Sequence, residues 1–254
     1  MTTTRIARVP YLNSAPFFRG LSLGAGYELT DCVPRELGER ASAGEVLAGL
    51  LPLADYFRLG ETFERIGRFG IAVRGRAHSV VLFSRKPIRQ LDGAVIAVTE
   101  ETSTTAVLLR LVLEQRHRVT PASYERGARE DADALLLIGD EALRFARTNT
   151  RYPFETDLAF EWWLWQHLPF VFAVWAIRKD ADPAGKKHIE LGLVKSLAMH
   201  GSRLGPIAEE AAGTFGIPAA DLTRYLSGFI YRLGEAEEAG IEQFRRLVDE
   251  HHLL

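Results

Sequence analysis

The 254-residue chain has a single cysteine, Cys32, which excludes an intrachain disulfide framework and makes a reducing compartment the expectation. It also lacks an excess of either charge: 31 basic against 33 acidic residues leave a formal net charge of −2, so no global field draws it to nucleic acid. Long hydrophobic runs are missing too. The longest purely apolar stretch, LPFVFAVWAI from Leu168, is too short to cross a bilayer and reads as a buried strand. The opening MTTTRIARVP has neither the apolar core nor the small-residue cleavage site of a secretion signal, so a cytoplasmic setting is expected. CxxC spacing, a phosphate-binding glycine loop, a helix-turn-helix pattern and low-complexity segments are all absent. A small-molecule substrate is therefore the expected partner, with no nucleic acid and no membrane; a homo-oligomer is compatible with these readings.

What is present is alternation. RIARVPYLNSAPFFRGL begins at Arg5 with a strand, Ile6 to Val9, which runs into Asn13, Ser14 and Pro16. That cluster can cap a helix but cannot continue a strand, and a helix is predicted from Ala15 to Leu21. YELTDCVP is a second strand, and Pro34 opens a helix through Ala43. GLLPLADYF fits no single period. GIAVRG and SVVLFS form two strands joined around Gly75.

The theme then repeats. Val95 to Val98 is a β-branched strand, whereas Val107, Leu108, Leu111 and Val112 recur at helical spacing, so the period changes at Thr102 to Thr105. DADALLLIGDEALRFA gives a strand, then Gly139 and Asp140, then a helix. All four tryptophans follow, in a helix from Asp157 to Gln166 and a strand from Phe170 to Ile177. Beyond Lys179 there are no strand signals, only amphipathic helices such as that of Ile241, Phe244, Leu247 and Val248.

Strands alternating with helices predict an α/β fold with mainly parallel strands. Ligands of such sheets lie beyond the carboxyl ends of the strands, where unpaired helix N–H groups gather and favour anions. The junctions at Asn13, Thr104 and Asp140 are expected to share that face.

The segments VPYLNSAPFFRGL, HSVVLFSRKPIRQLDG, TSTTAVLLRLVL, LLLIGDEAL and LPFVFAVWA, in this order and spacing, resemble the MqnA family, the chorismate dehydratases of the futalosine route to menaquinone. The resemblance runs from Arg5 to Ala176. It implies a two-lobed fold similar to type II periplasmic binding proteins, with the ligand cleft between the lobes. Residues 1–84 with 175–254 would form one lobe, the C-terminal helices packing on it, and residues 85–174 the other. The first crossing would follow SVVLFS and the return would use FVFAVWAI.

The implied reaction removes water from chorismate to give 3-[(1-carboxyvinyl)oxy]benzoate, with no cofactor or metal formally required. The site must hold two carboxylates, stabilise charge growing on the ring carboxylate and help hydroxide leave. Preorganised neutral donors suit this work. The resemblance implies Asn13 and Ser79 nearest the chemistry, with Ser14, Ser103, Thr104, Thr105 and Gly139 around the substrate. Two bases remain open: the substrate's own enolpyruvyl carboxylate, and Asp140, which could equally donate a proton or only cap a helix. The 1,4-dihydroxy-6-naphthoate synthase type and a non-catalytic anion-binding module are the alternative functions.

Other residues have plainer readings. His78 alternates with Ser79 along a strand and faces away from any cleft; Arg74 and Arg76 read as surface charge. The tryptophans read as core, with Phe170 and Trp175 left as candidates for stacking on the substrate. His251 and His252 lack partner ligands and read as a frayed tail.

Overall fold

The computed structural model describes residues 4–127 and 131–254; residues 1–3, the start of the stretch read for a secretion signal, lie outside them. Two sheets organise the chain. In the first, β1 (Thr4–Arg8) pairs in parallel with β2 (Tyr27–Asp31) on one side and β3 (Ala48–Pro52) on the other. Beyond β3 come β10 (Phe170–Arg178), β4 (Phe63–Val73) and β11 (Phe229–Arg232), all antiparallel to their neighbours. The second sheet runs β7 (Ser123–Arg126), β6 (Val95–Val98), β8 (Ala134–Ile138), β5 (Val80–Ser84), β9 (Phe154–Asp157).

Both sheets are mixed, where the alternation predicts mainly parallel strands. The cause lies in the strands nearest the crossings. β5 opens the second sheet just after the chain leaves the first, β10 re-enters the first, and each runs antiparallel to both of its neighbours. The predicted division at residue 84 accordingly falls one strand late. VVLFS, from Val80, belongs wholly to the second sheet, and the outward crossing occupies residues 74–79, ahead of it. On the return, α6 (Leu158–Gln166) precedes β10, which lies in the first sheet from Phe170 rather than from 175. The Gly75 turn looks like a hairpin in sequence, yet β4 and β5 do not pair.

GLLPLADYF resolves into β3, buried at every position because both its faces are covered, followed at once by α3 (Leu53–Arg58). α1 (Ala15–Phe18) stops short of the predicted Leu21, because Arg19 is extended and Gly20 takes φ +72°. α2 (Pro34–Ser42), α4 (Thr104–Arg110) and α5 (Gly139–Thr148) start where the sequence places them, and α4 continues into a wider π-helical turn at Leu111–Arg116. After α7 (Pro183–His200), α8 (Gly205–Phe215) and α9 (Ala219–Ser227), the four-residue edge strand β11 contradicts the expectation of helices alone. It is too short to establish a period before α10 (Glu235–Glu250). α7 packs on α1 and β4, and α10 on β10, so the tail does return to the first sheet.

Within a mainly aliphatic core the aromatic rings gather in clusters. Phe17 meets Trp175 edge-on at 5.8 Å and Tyr231 at 5.5 Å, while Trp162 meets Phe170 at 5.3 Å. Among the described residues no helix is long and apolar enough to cross a membrane.

Candidate functional site

A narrow inner cavity of about 70 Å³ lies between the sheets. The first-sheet side contributes Val9, Tyr11 and Asn13 from the loop after β1, Pro52 at the start of α3, and Phe172 of β10. The second-sheet side contributes Thr102 to Thr105 at the start of α4, with Ile138 and Gly139 at the start of α5. Three helix starts therefore surround it. Among the described residues none of those lining this cavity carries a formal charge.

Hydrogen bonds span the cleft on both flanks. The Tyr11 hydroxyl donates to the Glu101 carboxylate, Leu12 N–H donates to Asp140 Oδ1 at 2.9 Å, and Ala54 N–H donates to Thr104 Oγ1 at 3.0 Å. Arg35 N–H donates to the Glu101 carbonyl at 3.0 Å. The cleft is thus closed in this structure. Burial and the adjacent Glu101 push the Tyr11 phenol far up, so it stays a neutral donor at every physiological pH. Burial raises Asp140, opposed by the Leu12 N–H and by Arg144.

The residues singled out in the sequence divide into three groups. Asn13, Ser103, Thr104, Thr105 and Gly139 all line the inner cavity. Asn13 is half-buried, and among the described residues its amide makes no hydrogen bond, which leaves the group for a ligand. Thr104 Oγ1 accepts from Ala54 and keeps its own proton to donate. Ser103 Oγ accepts a long 3.4 Å bond from Arg58.

A second group touches the site without presenting a side chain to it. Ser14 lines the cavity, but its hydroxyl donates to the carbonyls of Val9, at 2.5 Å, and Tyr11, so it braces the turn. The side chain that accepts a capping N–H at α4 is Thr102, from Thr105 at 3.2 Å. Ser79 is fully buried: its carbonyl accepts Gly139 N–H at 2.7 Å, and its Oγ accepts from the Tyr225 hydroxyl at 2.9 Å. It stands behind the Gly139 turn. Asp140 faces a separate outer groove, lined also by Leu12, Arg19 and Glu210.

The third group is structural. Phe170 and Trp175 are fully buried in the aromatic core, because their positions on β10 face the helices; Phe172 is the β10 aromatic that reaches the cavity. His78 is exposed, with φ +61°. Tyr11, Glu101, Thr102 and Phe172 escaped the sequence reading. Tyr11 lies two residues before Asn13 and Thr102 one before Ser103, so each belongs to the same polar cap cluster as an expected site residue.

Residues 4–250 match a protein family described as menaquinone biosynthesis. A chorismate dehydratase from Thermus thermophilus is 32% identical over 252 residues, covering 92% of this chain and 91% of that protein. Among solved structures, a structural-genomics protein from Archaeoglobus fulgidus superimposes with a TM-score of 0.80 at 21% identity, over 99% of this chain and 98% of that one. An alkanesulfonate-binding protein from Xanthomonas axonopodis pv. citri, bound to MOPS, gives 0.68 at 14% identity, over 100% of this chain and 94% of that one. These two likenesses carry the fold alone, which is the two-lobed periplasmic-binding-protein architecture.

Proposed function

The chain belongs to the menaquinone-biosynthesis family, and from that premise we propose that it is a chorismate dehydratase, a carbon–oxygen lyase that converts chorismate to 3-[(1-carboxyvinyl)oxy]benzoate. The ring carbon bearing the ether gives up its proton, the electron pair moves through the diene toward the ring carboxylate, and the neighbouring hydroxyl leaves, so that water is lost and an aromatic ring remains.

The observation that carries this reading is an inner cavity with polar donors and no ionised side chain among the described residues. A dianion held there meets hydroxyls, the Asn13 amide and the starts of α3, α4 and α5. These are fixed dipoles, which stabilise charge as it develops without neutralising the substrate beforehand. The same composition supports the substrate's own enolpyruvyl carboxylate as the base, held within reach of the ring proton. Asn13 is the donor assigned to the reacting region. Thr104 and Ser103 hold a carboxylate. Asp140 and Ser79 act as positioning residues: Asp140 ties Leu12 across the cleft, and the Ser79 carbonyl fixes the turn at Gly139.

The test is purified protein with chorismate, followed by mass spectrometry and ultraviolet absorbance. A product lighter by one water with an aromatic spectrum is expected. Unchanged chorismate from folded protein overturns the assignment in favour of binding without chemistry.

A further inference from the structure

Two larger cavities flank the inner one, each of about 410 Å³. The outer groove beside Asp140 shares Val9, Tyr11 and Ser14 with it, and its arginines are neutralised. Arg19 donates to both Glu210 oxygens, and Arg8 to both Asp31 oxygens. The cavity on the other flank shares Thr102 and Ser103 with the inner site and is built differently. It brings four arginines, Arg35, Arg58, Arg110 and Arg126, against two carboxylates, Glu39 and Asp55.

Pairing within it is incomplete. Arg35 meets Glu39 at 2.9 Å and Arg58 meets Asp55 at 2.7 Å, while Arg110 turns to Glu114 at 3.1 Å. Arg126 has no carboxylate in ion-pair range among the described residues; its guanidinium donates to the Thr102 carbonyl at 3.2 Å, at the wall shared with the inner cavity. Burial lowers the proton affinity of Arg126, as do Arg35 and Arg58, while Glu39 and Glu100 act in the opposite direction. Like charges gathered in one concave space are costly unless an anion relieves them, and such a space concentrates anions from solution.

We propose that this arginine-lined cavity is where the carboxylates of the dianionic substrate are first gathered, with Arg126 at the threshold of the neutral inner cavity. The proposal rests on the chorismate reading above. It divides the labour of the cleft: guanidinium groups collect the substrate outside, and fixed dipoles act on it inside. A cation paired with a carboxylate inside the inner cavity would already bind the ground-state dianion tightly, so only the extra charge that develops in the transition state would count toward the chemical step.

The experiment is steady-state turnover of chorismate by wild type, Arg126→Gln, Arg126→Lys and Arg224→Gln across a potassium chloride series. Arg224 is exposed and lies outside the cavity, so it controls for net charge. Wild-type kcat/KM is expected to fall about fivefold between low and near-physiological salt. Arg126→Gln is expected to lower kcat/KM about fivefold at low salt, with kcat within twofold and a flatter salt dependence, and Arg126→Lys to restore most of it. Wild-type kcat/KM in Arg126→Gln, an equal loss in Arg224→Gln, or a loss confined to kcat would overturn the gathering role while leaving the dehydratase standing. No turnover by folded wild type would overturn both.

Discussion

Gly139 lies directly under the ring of Tyr11: a Cβ at position 139 would come within 2.8 Å of the ring's Cδ2 and Cε2 atoms. Its φ of +57° is a conformation that costs an L-residue about 1–2 kcal/mol. Gly139→Ala therefore meets two penalties, one of backbone strain and one of contact, and the second is relieved only by displacing Tyr11 from Glu101. The variant is expected to unfold more easily by at least about 1–2 kcal/mol and to raise KM for chorismate. Thermal unfolding alongside steady-state kinetics checks both; an unchanged KM would show that the ring position is irrelevant to binding.

Asn13 makes the cleanest separation between fold and chemistry. Its amide has no hydrogen-bond partner among the described residues and lines the inner cavity, so little in the fold depends on it. Asn13→Ala is expected to change unfolding free energy by less than about 0.5 kcal/mol and to lower kcat by about 100- to 1000-fold, the scale of losing one preorganised donor. Denaturant titration and turnover on the same preparation decide it. Normal kcat would remove Asn13 from the reacting region.

Burial holds the Asp140 carboxyl above its ordinary value of 3.8. Below 3.8 the group is protonated in both folded and unfolded chains. As pH rises past that point the unfolded chain releases the proton first, so this group's contribution to stability is lost progressively up to the folded pKa. Asp140→Asn removes that loss while its Oδ1 can still accept from Leu12 N–H. The stability of the variant relative to wild type is therefore expected to climb from about pH 3.5 toward neutrality, by at most about 1.4 kcal/mol per pH unit, and then level off. Unfolding curves over that range test it. A flat difference would mean that the carboxyl titrates normally.

The fold was legible wherever a period changed abruptly. Val98 to Thr104 and Ile138 to Asp140 mark strand-to-helix junctions that fall where expected, and their helix starts do meet at one cavity. Illegible features depended on partners distant in sequence. Whether SVVLFS pairs with GIAVRG or with DADALLLI is a question of which apolar strand meets which, and both pairings satisfy the same local pattern. Phe170 and Phe172 lie two residues apart on one strand, one buried against Trp162 and the other at the cavity, because a β-bulge register shift between Val171 and Ala173 breaks the alternation that would have put both on one face. The orientation of the Ser14 hydroxyl, at the cavity wall, was illegible for a local reason: a hydroxyl near a helix start can cap the next turn or bind back to the preceding carbonyls, and here it does the latter.

Ser79 and Tyr225 form a buried pair of hydroxyls that a double-mutant cycle can take apart. Tyr225 donates to Ser79 Oγ at 2.9 Å, and both residues are buried. Ser79→Ala strands the phenol in a dry site, at a cost of about 1–3 kcal/mol, whereas Ser79→Ala with Tyr225→Phe removes both partners. The double variant is expected to be less destabilised than the sum of the single ones by at least about 0.5 kcal/mol. Because the Gly139 N–H binds the Ser79 backbone carbonyl, which both variants retain, kcat is expected to stay within about threefold of wild type. A loss of kcat beyond tenfold in Ser79→Ala, not relieved in the double variant, would move the Ser79 hydroxyl from bracing the cleft into its chemistry.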